Sequence, residues 1–122
     1  MSLRVIVADD SRVMRKIVIR TLRQAGYDDW EIIEATDGQE ALDMTLAQQP
    51  DLILSDWNMP NMTGIDLLRS LRAQGNDTPL GFVTSEGSTE MREQAEAAGA
   101  LFLVAKPFTP EAFREAIDPL LA

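Results

Sequence analysis

Apolar residues fall along this chain in two alternating rhythms. Short continuous runs occupy positions 3–8, 30–35, 52–55, 80–84 and 101–105. Most are rich in β-branched or aromatic residues and are only a few residues long, so they predict buried strands. Between them the apolar positions repeat at intervals of three and one, the spacing of one helix face. Met14, Ile17, Val18, Thr21, Leu22 and Ala25 form the first such stripe. Ala41, Leu42, Thr45 and Leu46 form the second, and Gly64, Leu67, Leu68 and Leu71 the third. Met91, Ala95 and Ala98 give a weaker fourth, and Phe113, Ala116, Ile117 and Leu120 the fifth.

The punctuation between runs agrees. Gly26, Gly75 and Gly99 stand where the first, third and fourth helices should stop. Thr109-Pro110-Glu111 supplies a cap, a first-turn proline and an acid for the last helix. Strict strand–helix alternation predicts one α/β domain over residues 1–122, a doubly wound parallel sheet with helices on both faces. Right-handed crossovers then bring every strand C-terminus to one edge, where such sheets bind ligands.

Composition narrows the chemistry. The chain has no Cys and no His. Thiol catalysis, Ser-His-Asp triads and Cys- or His-ligated metals are therefore excluded, and the chain cannot itself donate a phosphohistidine. A formal net charge of −9 argues against nucleic acid as the main partner. No apolar run approaches a membrane span and no signal peptide is visible, which leads to the expectation of a cytoplasmic protein.

Attention then falls on the strand ends. The first strand runs into Asp9-Asp10, the third into Ser55-Asp56, the fourth into Thr84-Ser85 and the fifth into Lys106-Pro107. In a sheet of order 2-1-3-4-5 the first and third strands are neighbours, about 4.8 Å apart. Three carboxylates would crowd one pocket and repel each other without a cation. An all-oxygen site with few protein ligands suits Mg²⁺. One carboxylate, Asp56, could then attack a phosphoryl group while Lys106 and Thr84 neutralise its oxygens. Each piece alone has a plainer reading, as a helix cap, a turn or a strand end. The coincidence of four strand ends favours phosphoryl transfer.

These motifs resemble those of two-component response-regulator receiver domains, most of all the chemotaxis regulators of the CheY type. The resemblance rests on Val7-Ala8-Asp9-Asp10-Ser11, the stretch from Ser55-Asp56-Trp57-Asn58 through Met59-Pro60-Asn61-Met62-Thr63-Gly64, then Val83-Thr84-Ser85-Glu86 and Lys106-Pro107-Phe108. It implies a flavodoxin-like (βα)5 fold and phosphorylation of Asp56 by a sensor histidine kinase or a histidine phosphotransfer domain. It also implies that Asp10, Asp56 and the backbone carbonyl of Asn58 bind Mg²⁺ directly, with Asp9 acting through water. Lys106 and the Ser85 backbone would contact the phosphoryl group, and Thr84 would rearrange toward it. Asn58 and Glu86 would flank the path of the hydrolytic water. A downstream protein would read the fourth helix, fifth strand and fifth helix. Such a domain is no enzyme beyond its own phosphorylation and dephosphorylation. Many relatives carry Asp where Thr63 stands, and Tyr or Phe as a rotating switch where Leu103 stands. Activation should therefore appear mainly in the 84–89 loop and the following helix.

Three further expectations complete the reading. A cis Lys106–Pro107 bond would turn Lys106 back toward Asp56. Arg12, Arg15, Lys16, Arg20 and Arg23 concentrate five of eleven basic residues on the first helix, a candidate docking face for an acidic phosphodonor, tested by charge reversal at Arg15 or Arg23. The rival functions are a small Mg²⁺-dependent phosphohydrolase with an Asp nucleophile, a phosphorelay intermediate and a nucleotide-binding module. The last lacks either glycine-rich phosphate motif.

Overall fold

The structure is a computed structural model that describes residues 3–121; residues 1, 2 and 122, the outermost of the predicted domain, lie outside the described range. Five strands alternate with five helices. They are β1 (Arg4–Ala8), α1 (Arg12–Gln24), β2 (Glu31–Ala35), α2 (Gly38–Gln48), β3 (Leu52–Ser55), α3 (Gly64–Ala73), β4 (Leu80–Thr84), α4 (Thr89–Ala98), β5 (Phe102–Ala105) and α5 (Pro110–Leu121). All pairings are parallel, and the strand order is β2-β1-β3-β4-β5. The predicted topology is thus the observed one, with β1, β2 and β5 each starting one residue later than the apolar runs suggest.

The sheet divides the core in two, as strand alternation requires. Val5 and Val7 of β1 pack with Val18 and Leu22 of α1 and Phe113 and Ile117 of α5. Ile6 and Ala8 point the other way, toward Ala41, Leu42, Leu67, Leu68, Leu71 and Ala95 of α2, α3 and α4. Burial of this apolar area stabilises the domain at roughly 25 cal/mol per Å².

The helix stripes hold with four shifts. Ile17, Leu46 and Leu120 lie toward solvent, and Arg15 takes an inward position in line with Val18 and Leu22. The predicted stop signals are in place, with Gly26, Gly75 and Gly99 all at positive φ. Ser11, Asp37, Thr63 and Ser88 cap the first four helices by accepting backbone N–H bonds. Thr109 Oγ1 accepts from Ala112 N at 3.2 Å, which caps α5. None of the described helices is long and apolar enough to cross a membrane.

Candidate functional site at the sheet edge

Strand ends deliver the site. Pairing of Ala8 with Ser55 sets the ends of β1 and β3 level. The ladder then continues one step, with Asp56 N donating to Ala8 O at 2.8 Å. Asp9, Asp10 and Asp56 therefore emerge together, and one carboxylate oxygen from each lies within 4.8 Å of the others. β5 ends beside β4, and Lys106 N donates to Thr84 O at 2.8 Å. The Lys106–Pro107 peptide is cis, as expected.

Lys106 reaches back into the acidic cluster. Its Nζ lies 3.1 Å from Asp9 Oδ2 and 3.7 Å from Asp56 Oδ2. All three side chains are largely buried, so these pairs are screened far less than a surface bridge. Asp9 is fully engaged: Oδ1 accepts from Ser11 N at 2.8 Å, and Oδ2 accepts from Lys106. Asp10 is exposed at the mouth. Asp56 Oδ1 accepts from Trp57 N at 2.8 Å. Its Oδ2 faces Lys106. Burial pushes the Asp56 carboxyl above the ordinary carboxylate range; Lys106 and the Trp57 N–H pull it down, while Asp9 and Asp10 push it further up.

The backbone under Asp56 is held closely. Gly64 N donates to Trp57 O at 2.8 Å. A side chain at position 64 would overlap the Asp56 carbonyl, so only glycine lets α3 start there. Thr84 is buried, with its hydroxyl accepting from Glu86 N at 3.3 Å. Ser85 is exposed at the same turn. Asn58 and Glu86, twenty-eight residues apart in sequence, meet across the mouth: Asn58 Nδ2 donates to Glu86 Oε1 at 3.2 Å. Pro107 lies exposed beside the site, next to a small apolar groove of about 220 Å³ formed with Met14, Ile17, Thr21, Lys106 and Phe108.

The strand position of Leu103 is as expected. Leu103 packs on the α2–α3–α4 side and Phe102 on the α1–α5 side. Phe102 lies across Gly81, its partner in the ladder, where any side chain would overlap the ring. That aromatic is committed to the opposite face.

Two arginines carry structure that composition did not reveal. Arg15 is a correction. Its guanidinium is buried, donating to Asp9 O at 2.7 Å and to Glu34 Oε1 at 2.9 Å, so it is no docking residue. The heptad-like spacing of 15, 18 and 22 was the signal for it. Arg92 of α4 donates to Leu103 O at 3.3 Å and to Gly87 O at 3.4 Å, for which no sequence signal existed.

Whether a metal suits the site depends on its donors. Three hard carboxylate oxygens converge, the sequence offers neither thiol nor imidazole, and one fixed cation serves two of the three acids. That set fits a small divalent cation bound by oxygen.

A family profile described as the response regulator receiver domain matches residues 5–118. A chemotaxis protein CheY homolog of Campylobacter jejuni is 37% identical over 122 residues, covering 98% of this chain and 92% of that protein. The chemotaxis protein CheY of Pseudomonas aeruginosa is 38% identical over 120 residues, covering 97% and 95% respectively. Among solved structures, Vibrio cholerae chemotaxis protein CheY4 superposes with a TM-score of 0.84 at 36% identity, covering 98% of each chain. The receiver domain of the response regulator NarL from Mycobacterium tuberculosis gives 0.86 at 28% identity, over 98% and 95%.

Proposed function

This chain belongs to the response regulator receiver family, and on that premise we propose that it switches by phosphorylation of Asp56, in the manner of a chemotaxis-type regulator. The observation that carries the assignment is the juxtaposition of Asp56 with Lys106 at 3.7 Å inside a three-carboxylate cluster. It acts as a signalling protein, and its only catalysis is on its own acyl phosphate.

The chemistry follows from the groups present. Asp56 attacks the phosphorus of a phosphohistidine on a donor protein. A P–O bond to Asp56 forms as the P–N bond breaks, and the imidazole leaves. Lys106 neutralises a phosphoryl oxygen, and a Ser85 backbone contact serves another. Thr84 turns its hydroxyl from the Glu86 N–H toward the phosphate, because an unpaired dianion in a partly buried site is costly. Asp10, Asp56 and the Asn58 carbonyl would hold Mg²⁺, with Asp9 acting through water. Bound there, the ion supplies charge neutralisation at the transferring group. Asn58 and Glu86, in contact across the mouth, flank the path of the water that ends the signal.

Partners follow from the surfaces. Arg12, Lys16, Arg20 and Arg23 remain exposed along α1, which starts at the site, and suit an acidic patch on a histidine kinase or phosphotransfer domain. A downstream protein reads α4, β5 and α5, with Leu103 as a packing element and not a rotor. These interactions are those of a cytoplasmic protein.

The test is labelling with acetyl phosphate. Incorporation should require Mg²⁺ and vanish in Asp56→Asn. Full labelling of that variant would overturn the acceptor assignment.

A further inference from the structure

We propose that Arg15 is a positioning residue for the acidic pair at the end of β1, fixing the Asp9–Asp10 peptide so that Asp10 stays in reach of a metal. The inference rests on the reading of Asp10 and Asp56 as metal ligands.

The backbone at this turn explains why a partner is needed. Asp9 N still finds the ladder, donating to Ala35 O at 3.1 Å, and Ser11 N is taken by the Asp9 side chain at 2.8 Å. Asp9 O lies past the last strand pairing, at a buried position. Its donor is Arg15 Nη1 at 2.7 Å, reaching back from the first turn and a half of α1. A charge-assisted bond of that length is among the stronger ones a carbonyl makes. Removing the donor leaves a buried carbonyl unsatisfied, and the turn must move to hydrate it.

Orientation is what such a movement would spoil. The direction of the Asp9 carbonyl sets the plane of the Asp9–Asp10 peptide and hence the exit of the Asp10 side chain. Asp10 is exposed, and neither the helix cap nor Lys106 is bonded to its carboxylate in the way they hold Asp9. Its place in the 4.8 Å cluster therefore rests on the backbone. Arg15 is itself locked, since Glu34 of β2 holds Nε at 2.9 Å while Nη1 serves Asp9. One planar guanidinium ties β2, the β1–α1 turn and α1 together; a lysine point charge lacks the fork to do both.

Calorimetric titration of the full chain with MgCl₂ tests this. Arg15→Gln should weaken Mg²⁺ binding about tenfold or more, the usual scale for losing an outer-shell partner. Arg15→Lys should fall between it and the wild type, and provides the measurement if the Gln variant does not fold. Glu34→Gln removes the charge but keeps an oxygen that can accept from Arg15 Nε, so Arg15 stays on the Asp9 carbonyl; it should lower the thermal midpoint while keeping Mg²⁺ affinity within about twofold of wild type, well short of the outer-shell loss. Wild-type affinity in Arg15→Gln and Arg15→Lys, or equal weakening by Glu34→Gln, would overturn the positioning role alone. Failure of the wild type to bind Mg²⁺ would overturn the metal reading and this inference with it.

Discussion

Helices α1 and α4 start alike and end up held very differently. Each follows a strand that leads into the site, β1 into Asp9 and Asp10, and β4 ending in Thr84. Each is capped by a serine, Ser11 accepting from Met14 N at 3.2 Å and Ser88 from Met91 N at 3.1 Å. α1 then buries Arg15, Val18, Thr21 and Leu22, whereas α4 among the described residues buries Ala95. Met91 and Ala98 of α4 pack half-buried against the same core, and Arg92 holds two carbonyls at 3.3 and 3.4 Å. Few buried contacts mean a low cost of local opening or displacement. The comparison fits a division of labour under the proposed switch, in which the β1–α1 half keeps the acids in register and the less buried β4–α4 half carries the response to phosphorylation of Asp56.

The largest effect that can break this comparison is on stability. Leu22 is fully buried in α1. Leu22→Ala should cost about 2–5 kcal/mol in urea denaturation. Ala95→Gly in α4 should cost about 1 kcal/mol. Comparable losses at the two sites would mean that α4 is as firmly held as α1.

The next effect concerns the charge between the two halves. Burial raises the Asp56 carboxyl above its unfolded value, so the folded state favours the protonated form. Its contribution to stability is complete in acid below the ordinary carboxylate range and is lost as pH rises through the raised value. At neutral pH without divalent cation, Asp56→Asn should therefore raise the thermal midpoint by about 2–5 °C. The gain should shrink as pH falls and disappear once Asp56 is protonated. A gain unchanged down to strongly acid pH would show that charge is not its cause.

A smaller and more local effect sharpens the contrast. Hydrogen exchange with and without beryllofluoride should change in the 84–89 loop and α4 while α1 stays protected. Thr84→Ala should remove most of that change. A large response confined to Leu103 with a still loop would contradict the account. No response anywhere would favour readout of the phosphate itself, as in a relay intermediate.

The sheet order and the cluster of Asp9, Asp10, Asp56 and Lys106 were legible from the chain because both depend on simple regularities. Parallel strands order themselves through right-handed crossovers, and strand ends then define one edge. The Leu103 and Phe102 faces followed from strand period two. Arg15 was misread because a charged residue on an amphipathic helix is taken as solvent-facing by default. Its burial depends on Glu34 and the Asp9 carbonyl, both outside the helix. Ile17, Leu46 and Leu120 show the reverse error: helix period alone cannot say how wide a stripe the sheet covers. The contact of Asn58 with Glu86 needed the family pattern to be suspected and the structure to be seen, since two loops from different strands make it.

The central claim is that Asp56 becomes an acyl phosphate, and one measurement addresses it directly. The chain is incubated with acetyl phosphate and Mg²⁺, reduced with borohydride, digested and sequenced by mass spectrometry. An aspartyl phosphate is reduced to homoserine, which marks the acceptor. The account predicts homoserine at position 56 alone, and none when Mg²⁺ is withheld. Homoserine at position 9 or 10, or at 56 equally with and without Mg²⁺, would contradict it.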